Sequence, residues 1–223
     1  MRHRTLTCDQ GLSVQFRTVL PQTPDWLESV HAALDKVLAE DSGSLVTTGQ
    51  GKFYSNGLDL EWIMEHADQL ASYRADVQEL LARVLTLPVP AVAAVNGHAF
   101  GAGAMFALAH DYRVMRADRG FFCFPEVDIN IPFTPGMAGL IQGKLTPTAA
   151  VEAMTTGRRF GGVQARDRGL VDEVADEGAV VRAAVELVRP IAGKNHDTLG
   201  AIKSTMFASA VTALRTPEPT GQP

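Results

Sequence analysis

The chain has 223 residues, of which 46% are hydrophobic, so it is long enough to bury a core and form one globular unit. Its net charge of -5 disfavours nucleic acid or an anionic membrane as a partner, because such partners need clustered cations. Cys8 and Cys123 share no metal-binding or redox spacing, and no run of about 20 apolar residues could span a bilayer. We therefore expect a cytoplasmic protein with free thiols and no bound metal.

Apolar runs predict strands, and apolar residues at helical spacing predict helices. In chain order the predicted elements are an antiparallel hairpin of strands 3–8 and 12–18, helix 24–40, strand 45–48, helix 59–87, strand 91–95, helix 101–110, strands 111–115 and 120–124, helices 134–143, 146–155 and 163–168, strand 170–174, and helices 179–192 and 195–214. The last residues, TPEPTGQP, predict a frayed tail. This alternation predicts an α/β fold whose loops hold the functional site.

Two strand-to-helix turns are unusually rich in small residues. One is GQGKFYSNGLDL, residues 49–60, and the other lies within PAVAAVNGHAFGAGAM, residues 90–105. Unpaired N–H groups at a helix start can bind an anionic atom when no bulky side chain is in the way. The alternative interpretation is tight packing of helix against sheet. A phosphate-binding loop is disfavoured, because Gly51 and Lys52 are followed by Phe53 rather than Ser or Thr.

Three motifs in this order, GKFYSNGLDL, PAVAAVNGHAFGAGAMFALAHDYRVM and FPEVDINIP, resemble the enoyl-CoA hydratase/isomerase family, the crotonase superfamily. The resemblance is strong from about residue 45 to 132 and looser over 146–174. It implies an α/β crotonase-type spiral of repeated ββα units. We expect that core over residues 1–192, followed over 193–223 by a C-terminal helix and a flexible tail.

The resemblance also assigns residues to a site. In this family two backbone N–H groups hold the thioester oxygen of an acyl-CoA as it becomes an enolate, and they map onto Asn56 and Ala102. Aligned backbone donors stabilise such a charge without reorganising, which explains the small residues in both turns. Asn56, Leu58, Leu60 and Ala102 are the expected contacts to CoA, which is part of the substrate rather than a separate cofactor. Lys52 is a candidate for the CoA phosphates, with simple solvent exposure as the alternative.

Glu126 is the predicted catalytic base. Hydratases of this family use two glutamates, and the first of these positions is Met105 here, which cannot ionise. A proton shuttle between C2 and C4 of an enoyl chain needs only one base, so the pattern favours a Δ3,Δ2-enoyl-CoA isomerase. Apolar neighbours in sequence should raise the pKa of Glu126 toward neutrality. Asp128 is the competing acid, although it matches no catalytic position of the family.

Two other functions stay open at this point. One is an enoyl-CoA hydratase that uses Glu126 alone or with an unrecognised acid. The other is a non-catalytic acyl-CoA-binding protein. Two features favour it: Met105 stands in place of one glutamate, and the turn TVLPQTPDW is unusual. The resemblance further implies a homotrimer or a dimer of trimers.

Overall fold

The computed structural model describes residues 15–18, 22–39 and 43–217. Within these ranges the strands are β1 (Gln15–Thr18), β2 (Leu45–Gly49), β3 (Phe53–Ser55), β4 (Ala91–Val95), β5 (His98–Phe100), β6 (Tyr112–Arg116), β7 (Phe122–Cys123) and β8 (Glu173–Ala175). The helices are α1 (Pro24–Ala39), α2 (Leu60–Glu65), α3 (Leu70–Leu85), α4 (Ala102–Ala109), α5 (Pro135–Lys144), α6 (Pro147–Thr156), α7 (Gly162–Asp167), α8 (Val180–Val188), α9 (His196–Met206) and α10 (Ala208–Arg215).

The strands form two parallel sheets. The larger sheet has the order β1-β2-β4-β6-β8, and the smaller one has the order β3-β5-β7. Each consecutive pair, β2 with β3, β4 with β5 and β6 with β7, contributes one strand to each sheet before the chain enters a helix. These are the repeated ββα units that the sequence predicted. Because β3, β5 and β7 are parallel, their carboxyl ends meet at one edge of the smaller sheet.

Burial explains why β4 and α4 consist of small and apolar residues. Every residue of β4 is buried, since one face packs on α8 and the other on the main core. All eight residues of α4 are buried as well. Gly103 lets this helix lie directly on β3, because a Cβ at that position would be only 2.6 Å from the Ser55 carbonyl oxygen.

The structure differs from the predicted elements in several places, and the last strand begins at Glu173 rather than at residue 170. The loop at 49–57 and the segment before the second turn contain the short strands β3 and β5, which are too short to show a periodic pattern. The predicted helix 59–87 is divided into α2, a 3-10 turn and α3. The predicted helix 195–214 is wrong as one element. Phe207 leaves helical geometry at φ -110° and ψ 19° with its side chain in the core, which separates α9 from α10.

Some predictions fall beyond these ranges. The antiparallel hairpin cannot be assessed because strand 3–8 lies outside the described residues, although the end of its second strand forms β1 and pairs in parallel with β2. Most of the predicted tail, from residue 218 onward, also lies outside them. The domain boundary at residue 192 stays a prediction. Across the described ranges, every helix is too short or too polar to cross a membrane.

Candidate functional site

The first turn, residues 56–59, connects β3 to α2. Asn56 follows the last residue of β3 and is exposed, whereas the next residue, Gly57, is buried with a φ of 83° that favours glycine. The Ser55 hydroxyl accepts a hydrogen bond from Gly57 N–H at 3.3 Å. Asp59 caps α2 by accepting a hydrogen bond from Trp62 N–H at 3.1 Å. The turn therefore has a defined backbone path with only short side chains at its tip.

The second turn, residues 100–102, connects β5 to α4. Gly101 has a φ of 51°, and its N–H donates to the Cys123 carbonyl at 3.0 Å, which ties the turn to β7. Ala102 is the first residue of α4 and is 5% exposed. An N–H in the first helical turn has no acceptor within its own helix, so that of Ala102 is available to a bound group.

The two turns lie against each other. A Cβ placed on Gly57 would be 3.2 Å from Ala102 N and 3.5 Å from Gly103 N. Any side chain at position 57 would therefore fill the space beside the amide of Ala102. The absence of a side chain at Gly57 therefore lets the backbone of the two turns lie close together.

Glu126 joins this arrangement from the segment that follows β7. One of its oxygens, Oε1, would be 3.4 Å from a Cβ on Gly101. The residue is 8% exposed, and its other oxygen, Oε2, is buried without a hydrogen-bond partner among the described residues. Burial disfavours the charged form and raises the pKa of Glu126 to about 7. The carboxyl is thus suited to exchange a proton near neutral pH.

The other acid candidates lie in different surroundings. Met105 is fully buried in α4, one turn after Gly101, and offers no group that could activate water. Asp128 is exposed and faces the end of α6, where a Cβ on Gly157 would overlap its carboxylate. Of the three positions, only Glu126 combines a carboxyl group with burial beside the second turn.

Of the residues predicted to contact CoA, some lie at the two turns and others lie elsewhere in the fold. Leu58 packs against the core, and Leu60 begins α2 with 49% of its surface exposed. Lys52 is exposed near the start of β3, at the opposite end of this strand from Asn56. The structure therefore does not bring Lys52 to the two turns. Its assignment to the CoA phosphates gains no support, whereas the alternative of solvent exposure fits.

His110 and Asp111 are adjacent in sequence but have separate hydrogen-bond partners, so they do not form a catalytic pair with each other. His110 is fully buried and contacts the Phe106 carbonyl and the Thr47 hydroxyl, at 2.8 Å and 3.0 Å. Burial lowers its pKa to about 3, so the ring is neutral. Asp111 instead accepts hydrogen bonds from Ala91 N–H and the Lys203 ammonium. In the described ranges no group of three or more His, Cys, Asp or Glu residues could hold a metal.

A cavity of about 620 Å³ lies elsewhere, between β6 and α9. Its lining includes Lys144, Lys194 and Lys203 but none of the predicted site residues. Sequence reasoning also missed Gln22 and Tyr73, which hold the first turn by hydrogen bonds. Gln22 lies in the turn TVLPQTPDW, 33 residues before Ser55, and Tyr73 lies in a helix, 14 residues after Asp59. Nothing in either stretch indicates a hydrogen bond to the first turn.

Comparison with known proteins identifies the same family from a family model and from individual relatives. Residues 23–218 match the family model for enoyl-CoA hydratase/isomerase. The chain is 36% identical over 195 residues to enoyl-CoA delta isomerase 3 of Arabidopsis thaliana and 37% identical over 198 residues to the peroxisomal enoyl-CoA delta isomerase 2 of the same plant. Each alignment covers 82% of this chain and 82% of the relative.

Solved structures agree with these relatives. An apo structure described as the enoyl-CoA isomerase of Mycobacterium tuberculosis has a TM-score of 0.87 and 29% identity, covering 96% of this chain and 94% of that one. A second structure of the same M. tuberculosis protein, described as a probable enoyl-CoA hydratase, has a TM-score of 0.88 and 29% identity, covering 96% and 92%. The resemblance and the fold class predicted from the three motifs are therefore confirmed.

Proposed function

Since this chain belongs to the enoyl-CoA hydratase/isomerase family, we propose that it is a Δ3,Δ2-enoyl-CoA isomerase acting in fatty acid metabolism. The observation that carries the proposal is the buried carboxyl of Glu126 beside the second turn, with Met105 at the position where hydratases of the family have their other glutamate. The names of the two plant relatives support the same activity. The catalytic roles assigned below to individual residues rest on this geometry and on the family resemblance.

In the proposed reaction, the N–H groups of Asn56 and Ala102 donate hydrogen bonds to the thioester oxygen of a 3-enoyl-CoA. Glu126 removes a proton from C2, and the electron pair spreads through the carbonyl and the double bond as a dienolate. The same carboxyl then delivers its proton to C4, which leaves the double bond between C2 and C3. A pKa of about 7 suits a group that must accept and return a proton in each cycle.

The remainder of the substrate is CoA itself, so the proposal needs no separate cofactor. Main-chain groups near Asn56, Leu58 and Leu60 would contact the CoA portion, and Ala102 would contact the thioester. Leu60 is 49% exposed, so its side chain is accessible to a bound ligand. The CoA phosphates have no assigned partner.

An isomerase and a hydratase are separated by their products. One M. tuberculosis protein is described as an isomerase in one structure and as a probable hydratase in another, so hydration is the second candidate. Purified protein incubated with 3-enoyl-CoA should yield 2-enoyl-CoA, and incubation with 2-enoyl-CoA should yield little 3-hydroxyacyl-CoA. Fast hydration would favour the hydratase. Binding without turnover of either ester would favour a non-catalytic acyl-CoA-binding protein.

The variant Glu126→Gln tests the role of the carboxyl. It keeps the size and polarity of the side chain but cannot shuttle a proton, so the rate of isomerisation should fall by about 10²–10⁴-fold. Asp128→Asn is the matched control, because it neutralises an exposed acid two residues away and should leave the rate unchanged. Wild-type activity in Glu126→Gln would refute the assignment.

Two further features of the proposal concern the whole molecule. The homotrimer or dimer of trimers implied by the family is tested by light scattering during size-exclusion chromatography, where a monomer would contradict it. The cytoplasmic location also stays a prediction, and one of the plant relatives is named as peroxisomal. Microscopy of the tagged chain in its native cell would decide between these locations.

A further inference from the structure

We propose that the Tyr73 hydroxyl is a positioning group that fixes the first turn, and with it the Asn56 N–H, for the thioester oxygen. This inference rests on the proposed function, because it assigns a task to the amide of Asn56. Tyr73 itself would not touch the substrate. It would act through a set of buried hydrogen bonds that hold the residues on both sides of Asn56.

The Tyr73 hydroxyl lies between two segments of backbone. The residue belongs to α3 and is 2% exposed. Its oxygen accepts a hydrogen bond from Asp59 N–H at 3.1 Å, and its proton is donated to the Gln22 carbonyl. Burial raises the pKa of Tyr73, so the hydroxyl keeps the proton that it donates. One side chain therefore connects the end of the first turn to the segment before α1.

Gln22 carries this connection back to the tip of the turn. Its backbone N–H donates to the Gly57 carbonyl at 3.0 Å. Its side-chain amide donates to the Ser55 hydroxyl at 3.4 Å, and that hydroxyl accepts from Gly57 N–H at 3.3 Å. Gln22 and Ser55 are 2% and 3% exposed, so water does not compete for these contacts. Ser55 and Gly57, which flank Asn56, are both held.

The arrangement matters because a backbone donor stabilises a developing charge only when it is already in place. Asn56 and Gly57 carry no large apolar side chain that could anchor them by packing, and Leu58 is the first residue of the turn that packs against the core. A displacement of about 1 Å in a reacting geometry can cost about 10²-fold in rate. Since the hydroxyl holds one end of the turn only, we expect a loss of about 10-fold in kcat when it is removed.

The test is Tyr73→Phe, which keeps the buried ring and its contact with Trp62 but deletes the hydroxyl. The value of kcat should fall about 10-fold, with KM changed less than twofold, because the substrate still binds while the donor is misplaced. Tyr54→Phe is the matched control. Tyr54 is 1% exposed and lies in β3, and its hydroxyl bonds to Thr47 rather than to the turn. Its kcat should stay at the wild-type value.

A spectroscopic measurement separates positioning from a general loss of stability. A saturated acyl-CoA with a ¹³C-labelled carbonyl cannot isomerise, and isotope-edited infrared difference spectra report the hydrogen bonding of its carbonyl group. The carbonyl band should move to lower frequency in wild type and Tyr54→Phe, and by less in Tyr73→Phe. Ser55→Ala, which removes the other anchor of the turn, should reproduce the Tyr73→Phe result and serves if that variant does not fold.

The outcomes distinguish this inference from the function on which it rests. A band that does not move in the wild-type complex would overturn the pair of amide donors and the positioning role with it. A band that moves equally in wild type, Tyr73→Phe and Ser55→Ala would overturn the positioning role alone. An equal loss of kcat in Tyr54→Phe would also overturn it, because the effect would then follow from deleting any buried hydroxyl.

Discussion

Glu126 and Lys203 are both buried ionisable residues, but their surroundings are opposite. Lys203 in α9 is 4% exposed, and its ammonium donates to the carbonyls of Leu87 and Val89 and to the Asp111 carboxylate. Glu126 is 8% exposed, and one of its oxygens has no hydrogen-bond partner in the described part of the chain. The lysine has an acceptor for each of its three protons, whereas one carboxyl oxygen of the glutamate has no hydrogen-bond partner among the described residues.

The two residues show the difference between a buried charge that stabilises the fold, Lys203, and one that we assign to catalysis, Glu126. A buried charge is costly unless hydrogen bonds and an opposite charge compensate for it. Lys203 is compensated and links α9 to the residues just before β4 and just before β6. Burial lowers the pKa of Lys203, but the Asp111 carboxylate opposes that shift. Glu126 has no such counter-charge, and burial raises its pKa to about 7. An unsatisfied carboxyl beside unpaired backbone donors is therefore the stronger sign of function.

The largest effect on stability should come from breaking the compensated pair. Lys203→Met leaves the Asp111 carboxylate partly buried without its cation, which should lower the free energy of unfolding by about 3–5 kcal/mol. Urea denaturation measures this loss. Lys194→Met, at an exposed lysine of the same region, should change it by less than about 0.5 kcal/mol. Equal stability of the two variants would remove the distinction between the two buried charges.

Removing the backbone N–H of Ala102 should raise the free-energy barrier of catalysis by an amount comparable to the stability lost in Lys203→Met. Ala102→Pro deletes the N–H at the first position of α4, where proline fits a helix, as it does at the start of α5 and α6. The value of kcat should fall by about 10²–10³-fold, because one hydrogen bond to the thioester oxygen is lost. Circular dichroism should show an intact fold. An unchanged kcat would refute the role of the Ala102 amide while leaving that of Glu126 open.

Glu126→Gln should make the protein more stable above pH 7. The pKa of Glu126 is raised from 4.5 in the unfolded state to about 7 in the folded state. Between these two pH values the folded state binds more protons than the unfolded state, so the stability of the wild type falls as pH rises from 4.5 to 7. The full penalty corresponds to about 3 kcal/mol, which the neutral Gln avoids. Thermal unfolding of both proteins at pH 5 and pH 8 measures it. The same stability difference at both pH values would contradict the raised pKa.

The pH dependence of activity should report the same group with a smaller effect. The reaction needs the carboxylate, so kcat/KM should fall about tenfold per unit as pH drops below about 7. Steady-state rates between pH 5 and pH 8 on a 3-enoyl-CoA substrate measure this titration. A profile that stays flat down to pH 5 would mean that the raised pKa does not belong to the catalytic group.

Much of the site was predictable because its chemistry depends on backbone and on one side chain. The glycines and alanines of 100–104 predict close backbone approach, and the structure places Gly57 against Ala102 as that requires. The prediction of Glu126 rested on its motif and on apolar neighbours. The structure confirms a buried carboxyl with a raised pKa, although Phe121, Val127 and Ile129 are themselves partly exposed. The catalytic roles stay predictions until the variants are measured.

The sequence by itself determined the strand-to-helix alternation and the two small-residue turns, whereas one acid in place of two follows from the family resemblance. These properties are local, since each depends on residue types within a few positions of one another. Only the tertiary structure decided which groups meet and which are left unpaired. The links from Tyr73 through Gln22 to Ser55, and from Lys203 to Asp111, join residues 33 to 92 positions apart. Such contacts form when packing excludes water from polar groups, and no local pattern encodes which partner each will find.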